Sequence, residues 1–272
     1  MGDVLGFLQG RADGDLLPWA AQLEASRSFG KSVAEVEAVA LENDLLPARY
    51  QRNRSMLSAS QQWSLFRSCV AVVGCGGLGG YVLEELARLG VGRIVAIDPD
   101  IFEEHNLNRQ LLSAPGNLGQ AKVAAAAERI AAINPAVTID PLQEAFGPDN
   151  GDGLFQGADM VVDCLDSVDA RLALAKACES LDLPLVHGAI AGWFGHICTV
   201  FPGEHSLEKI YAHETSGKGV EQSMGNPSYT PAVIASLQVA EVCKVLLGEG
   251  EPLRNRMLMV DLLEMDFEHV EW

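Results

Sequence analysis

The run Gly74-Cys75-Gly76-Gly77-Leu78-Gly79 restricts this chain more than any other feature, because of what flanks it. The residues before it, Cys69-Val70-Ala71-Val72-Val73, read as a short, fully buried strand. Leu78 to Leu89 repeats apolar residues at helical spacing, and Arg93 to Asp98 reads as a second strand. Strand, glycine turn, helix and strand make a βαβ unit. Its glycines (Gly74, Gly76, Gly77 and Gly79) let a phosphate approach the helix N-terminus, while Asp98 at the next strand end can reach a ribose hydroxyl. The arrangement points to a nucleotide and does not distinguish NAD from ATP.

The alternation continues. A helix is predicted over about 120–133 and stopped at Asn134-Pro135, followed by strands at 137–142 and 160–164. A helix over 170–181 and a strand at 184–190 complete the pattern. This predicts an α/β, Rossmann-like fold with a mostly parallel sheet and helices on both faces. After Gly192 come the run His196 to Phe201, a polar stretch from Pro202 to Tyr229 and a helix opened by Pro231. Two final strands, at 256–263 and 266–270, extend the same sheet in antiparallel fashion at its C-terminal end. Residues 1–48 read as an N-terminal helical extension, with one helix from Ser32 to Leu46 stopped by Pro47, and 49–272 as the main α/β domain.

Charge and composition exclude several classes. With 37 acids against 19 bases the net charge is -18, which repels phosphate backbones and anionic lipid surfaces, so no nucleic acid and no membrane is expected as a partner. No run reaches the roughly 18 consecutive apolar residues of a membrane span, and the start lacks the basic residues of a signal peptide. The chain reads as soluble and cytoplasmic. Its six cysteines form no Cys-x-x-Cys pair, which suits reduced, buried thiols rather than disulfides or zinc.

Downstream of the glycine loop the polar segments are rich in bases for so acidic a protein. Asp98-Pro99-Asp100 precedes Asn106-Leu107-Asn108-Arg109-Gln110 and Gly119-Gln120-Ala121-Lys122. A triphosphate needs such cations, because negative charge on the phosphoryl oxygens must be met by groups already in place, whereas hydride transfer needs no second set. Alternatively, Arg109 and Lys122 simply solvate helix surfaces. Arg49-Tyr50-Gln51-Arg52-Asn53-Arg54 packs three guanidinium groups into six residues, which either solvates a loop or binds an anion. Asp163-Cys164-Leu165-Asp166 closes a strand at the sheet edge where ligands bind, and a carboxylate there can hold Mg²⁺.

Arg-Tyr-x-Arg at 49–52, Gly-x-Gly-Gly-Leu-Gly at 74–79, Asp-x-Asp at 98–100, Asn-Leu-Asn-Arg-Gln at 106–110, Gly-Gln-x-Lys at 119–122 and Asp-Cys-x-Asp at 163–166 occur in one order. Together they resemble the ThiF/MoeB/HesA family, prokaryotic relatives of ubiquitin-activating enzymes, over about residues 47–270. The resemblance implies a homodimeric, ATP-dependent adenylyltransferase. Its substrate would be the C-terminal Gly-Gly carboxylate of a small ubiquitin-like sulfur-carrier protein, activated for thiocarboxylation in molybdenum or tungsten cofactor, thiamine or related biosynthesis. The alternative it leaves is adenylation of a small-molecule or peptide carboxylate by a zinc-less member.

By the same resemblance Gly74, Gly76, Gly77 and Gly79 cradle phosphate, with Asp98 on the ribose. Asp100, Asn106, Arg109, Gln110 and Lys122 belong to the ATP site, Asp166 organises Mg²⁺, and Arg52 reaches the phosphates of the partner subunit. The chain departs from the family in lacking the two Cys-x-x-Cys zinc pairs, and no cysteine lies between Cys198 and Cys243, where the crossover loop (Ser206 to Tyr229) is expected. Neither a zinc site nor a thioester nucleophile is therefore expected there. His187, His196, His205 and His213 lack the paired spacing of a substitute metal site and read as ordinary polar or buried residues. Asn53 and Ser167 stand where Gln and Asn are usual.

Overall fold

The computed structural model describes residues 3–212 and 224–272. The N-terminal extension holds three helices, α1 (Val4–Gln9), α2 (Trp19–Phe29) and α3 (Val33–Glu42), where the sequence predicts one. The buried face of α2 consists of Ala21, Gln22 and Ala25, so it carries almost none of the large apolar spacing that reveals a helix. In α3, Ser32 and Glu35 form a reciprocal capping box. Two-residue strands β1 (Leu16–Leu17) and β2 (Leu46–Pro47) pair in parallel and bring the chain to Tyr50.

Tyr50 is fully buried. Its hydroxyl donates to Glu37 Oε1 at 2.8 Å and accepts from Asn134 Nδ2 at 2.8 Å. Arg49 forms an ion pair with Glu37, donates to Gln22 Oε1 and lies over the Trp19 ring. The expected boundary at residues 48/49 therefore falls inside a buried polar clasp between the extension and the rest.

α4 (Ala59–Arg67), capped by Ser58, leads into β3 (Cys69–Val73), α5 (Gly77–Leu89) and β4 (Arg93–Ile97). Next come α6 (Lys122–Ile133), β5 (Thr138–Leu142), a short unforeseen α7 (Gly151–Leu154) and β6 (Met160–Asp163). α8 (Val168–Ser180), β7 (Leu185–Ala191), β8 (Phe194–Val200) and α9 (Ser206–Ile210) follow. The described chain ends with α10 (Tyr229–Leu247), β9 (Arg256–Asp261) and β10 (Asp266–Glu271). α10 begins before Pro231, which sits in its first turn, where no intrahelical N–H is lost.

The sheet order is β10-β9-β8-β7-β6-β3-β4-β5. The five strands from β5 to β7 are parallel, and β8, β9 and β10 add as antiparallel neighbours, as the sequence predicts. One face packs under α5, α6 and α10, with Val70, Val72, Leu83, Ile130 and Val239 in its core. The other packs under α8 and α9, with Ala71, Val73, Val161 and Leu174. From β3 the chain first moves outward through β4 and β5, then returns to place β6 on the opposite side. The carboxyl ends of β3 and β6 thus border the crevice of a topological switch point, where ligands bind in open α/β sheets. α10 alone among the described helices is long and apolar enough to cross a membrane; it packs on α5, β7 and β8 as a core helix.

Candidate active site

The glycine loop leaves β3 at Gly74, whose φ of +96° and whose closeness to the Cys164 carbonyl both require glycine. A Cβ there would stand 2.6 Å from that oxygen. At Gly79 a Cβ would stand 1.8 Å from the Gly74 carbonyl oxygen, so α5 reaches the turn only without a side chain. Gly76 caps α5 with no side-chain acceptor, and the first turn has no acid, so the helix N-terminus is left to an anion from the cleft. Asp98 ties the loop down. Its Oδ2 accepts from the Cys75 N–H at 2.7 Å and its Oδ1 from the Asp100 N–H at 2.8 Å. Burial pushes the Asp98 pKa up, against these hydrogen bonds and the Lys122 charge.

Lys122, at the start of α6, is buried, with its Nζ 2.9 Å from Asp100 and 3.8 Å from Asp98. Arg109 donates to the His105 carbonyl and to Asn108 Oδ1 and has no ion pair among the described residues. Burial pushes its pKa down, and the Asp166 charge opposes the shift. Asp166 itself is exposed at the mouth. Gln110 is buried with its Oε1 unpartnered, and so is Asn226 Oδ1. Two orphaned acceptors, a bare helix N-terminus, two cations and an oxygen ligand suited to a hard cation fit a nucleotide triphosphate with Mg²⁺.

Gly74, Gly76, Gly77, Asp98, Asp100, Arg109, Gln110, Lys122 and Asp166 line a single cleft of about 360 Å³. Three expected site residues do not. Gly79 serves the close approach of helix to turn, and Asn106 is buried with its Oδ1 accepting from the Glu103 N–H. Arg52 is exposed and outside this cleft. Of its neighbours, Arg49 is engaged by Glu37 and Arg54 by Asp15 at 2.7 Å, so the three-guanidinium cluster is split among separate tasks. A larger depression of about 680 Å³ over α7 and α8 lies away from all these groups.

Arg171 and Asn226 also line the cleft and were not singled out in the sequence. Arg171 stands inside the apolar pattern of α8, one turn after the strand-end acids, and its charge within that pattern was the available signal. Among the described residues no group of three or more His, Cys, Asp or Glu is placed to hold a metal. His187 and His196 are in contact with each other, His205 is exposed, and His213 and the middle of the expected crossover loop lie outside the described residues. The six cysteines are unpaired.

A Rossmann-like sheet with an anion-ready glycine loop at its switch point, faced by Arg109, Lys122 and Asp166, has the layout of a nucleotide-binding α/β protein. Residues 50–272 match the model of the ThiF family, and the chain belongs to that family. It is 33% identical to the SAMP-activating enzyme E1 of Haloferax volcanii, over 82% of this chain and 84% of that one. It is likewise 33% identical to the sulfur carrier protein adenylyltransferase of Thermus thermophilus, over 80% and 84%. The fold resembles the crystal structure of E. coli MccB, with a TM-score of 0.69 at 22% identity, covering 82% of this chain and 69% of that one.

Proposed function

We infer that this protein is an ATP-dependent adenylyltransferase that activates the C-terminal Gly-Gly carboxylate of a small ubiquitin-like sulfur-carrier protein. The observation that carries the reading is the gathering of the glycine loop, Arg109, Lys122 and Asp166 around one cleft. Relatives named for activating such carriers support it.

The carrier carboxylate is itself the nucleophile, so no Ser, Cys or general base is needed. A carboxylate oxygen bonds to the α-phosphorus, the bond from that phosphorus to the bridging oxygen breaks, and its electron pair leaves with pyrophosphate. The α5 N-terminus and Lys122 hold phosphate oxygens, Arg109 meets the charge developing in the transition state, and Gln110 and Asn226 use their open acceptors on bound ligand donors. Asp166 would hold Mg²⁺, which would supply further charge neutralisation on the phosphates. In this reading the enzyme is cytoplasmic and a homodimer, with Arg52 serving the partner's site.

Exchange of labelled pyrophosphate into ATP, dependent on Mg²⁺ and on a carrier ending in Gly-Gly, tests the reading. A carrier that binds but gives no exchange, or exchange that persists after removal of the Gly-Gly, would overturn it.

A further inference from the structure

Leu165, the residue before the cleft carboxylate Asp166, is held on both sides. Its N–H donates to Asp163 Oδ1 at 2.9 Å, and its carbonyl accepts from Arg171 Nη2 at 2.8 Å and Nε at 3.2 Å. The two holders are joined to each other through a second path. Asp163 Oδ2 lies 2.7 Å from His187 Nδ1, His187 Nε2 lies 3.1 Å from the Tyr211 hydroxyl, and Arg171 Nη1 donates to that hydroxyl at 3.2 Å. Leu165, Asp163, His187, Tyr211 and Arg171 therefore close a ring of hydrogen bonds.

The contacts order the protons around the ring. The contact with a carboxylate puts the ring proton of His187 on Nδ1, which leaves Nε2 bare to accept from Tyr211. The Tyr211 oxygen in turn accepts from Arg171 Nη1. His196 Nε2, 3.2 Å from the same bare nitrogen, carries its own proton and shares that lone pair with the Tyr211 hydroxyl; burial, with the His187 neighbour, presses the His196 pKa down to about 3, so that ring is neutral. Asp163 and His187 are both fully buried and Arg171 nearly so, and in such surroundings an unmatched donor or acceptor is costly.

We propose that this ring is a positioning device, in which Tyr211 and His187 hold Arg171 and thereby fix, through the Leu165 carbonyl, the direction in which Asp166 presents its carboxylate. Its chemical purpose rests on the adenylation reading, where Asp166 is the Mg²⁺ carboxylate. Neither Tyr211 nor His187 lines the cleft, so both are positioning residues rather than catalytic ones. A simple brace of the turn between β6 and α8 would use the same bonds, yet it would make no difference to the metal.

The variants Tyr211→Phe, which removes only the hydroxyl, and His187→Asn, which keeps a donor for Asp163 and removes the acceptor for Tyr211, separate the two cases. Calorimetric titration of the full chain with ATP, with and without Mg²⁺, is the readout. Each variant is expected to weaken binding about tenfold in the presence of Mg²⁺ and less than about twofold without it, with the double variant no weaker than either single one. Histidine nitrogen NMR of the wild type is expected to show His187 protonated at Nδ1 and bare at Nε2. Equal losses with and without metal, unchanged Mg²⁺ dependence, additive variants, or a His187 protonated at Nε2 would each overturn the ring. A wild type that binds Mg²⁺ and ATP but gives no carrier-dependent exchange sinks the adenylation reading while leaving the ring to these titrations; one that binds neither sinks both.

Discussion

The Lys122 ammonium stands 2.9 Å from the Asp100 carboxylate, and the two differ sharply in burial: Asp100 has 63% of its side chain exposed, Lys122 only 8%. Water around the exposed Asp100 carboxylate can take over when Lys122 leaves it, so Lys122 can exchange Asp100 for a phosphate oxygen. Lys122→Met is expected to lower pyrophosphate exchange by about 10²- to 10³-fold while the protein stays folded, and Asp100→Asn by less than about threefold. Measured exchange above a tenth of wild type in Lys122→Met would remove this lysine from the chemistry.

The loop glycines divide by the space around them. Gly79→Ala must push a methyl group against the Gly74 carbonyl, and Gly74→Ala combines a left-handed φ with the Cys164 carbonyl at 2.6 Å. Each is expected to destabilise by about 3 kcal/mol or more in urea titrations. At Gly77 the nearest atom to a Cβ is Pro231 at 3.7 Å, ordinary contact, so Gly77→Ala should keep wild-type stability yet raise the KM for ATP by crowding the helix N-terminus. A Gly77→Ala protein with an unchanged KM would place the phosphates elsewhere.

Glu84 ties α5 to α6 and supplies a pH signature. It accepts from Arg129 Nε and Nη2 at 2.7 and 2.8 Å, and from Arg88 Nε and Nη2 at 2.8 and 2.6 Å. The Arg129 hydrogen bonds are the largest cause holding its pKa below the usual 4.5; burial acts against them and Arg88 adds to them. A folded-state pKa below the unfolded one means that the unfolded chain binds the proton first as pH falls. Glu84 therefore stabilises above about pH 4.5, and that contribution is lost as pH falls through its folded value. Glu84→Gln should cost about 1 kcal/mol at pH 7, with the gap to wild type closing below pH 4.5. A gap that is independent of pH would show that the carboxylate charge contributes nothing.

No cysteine here is prepared as a thiolate. Burial pushes Cys75 and Cys164 well above the ordinary thiol value, Cys178 up to about 12 and Cys243 up to about 11, and raises Cys69 and Cys198 as well. Turnover with ATP and carrier is therefore expected to leave no reductant-sensitive conjugate on a denaturing gel, and single Cys→Ala variants should keep exchange. A conjugate that disappears in one of them would identify a thioester cysteine.

Sequence reading recovered what repeats at a regular period or clusters in a short span. The apolar strands beside Gly74 and Cys164, the alternation that sets the parallel sheet, and the cleft positions of Arg109, Gln110, Lys122 and Asp166 all belong to that kind. Contacts between residues far apart in the chain were not visible. Arg49 reads as one of three guanidinium groups that either solvate a loop or bind an anion, yet Glu37 of α3 and Gln22 of α2 claim it, and α2 hides its face in alanines and a glutamine. The ring through Arg171, Tyr211 and His187 joins α8, the end of α9 and β7, and no local spacing announces it. Asp98 shows both sides: its place at a strand end marks it as a ligand, while its bond to the Cys75 N–H adds the task of clasping the loop.

Arg52 provides the test of assembly. It lines no part of its own chain's cleft, Arg49 and Arg54 on either side are tied to Glu37 and Asp15, and Arg52 alone of the three has no ion pair among the described residues. A free guanidinium held beside two anchored ones suits a group that serves a neighbouring copy, and removal of such an arginine can cost about 10³-fold in rate. Arg52→Ala should then abolish most exchange without loss of stability. Mixed with Lys122→Ala subunits, it should regain activity toward about one quarter of wild type, because half of the randomly exchanged dimers keep one site with both residues intact. Verified subunit exchange with no recovery would mean that Arg52 serves its own chain or none, and a protein that sediments as a monomer while fully active would remove the dimer itself from the proposal.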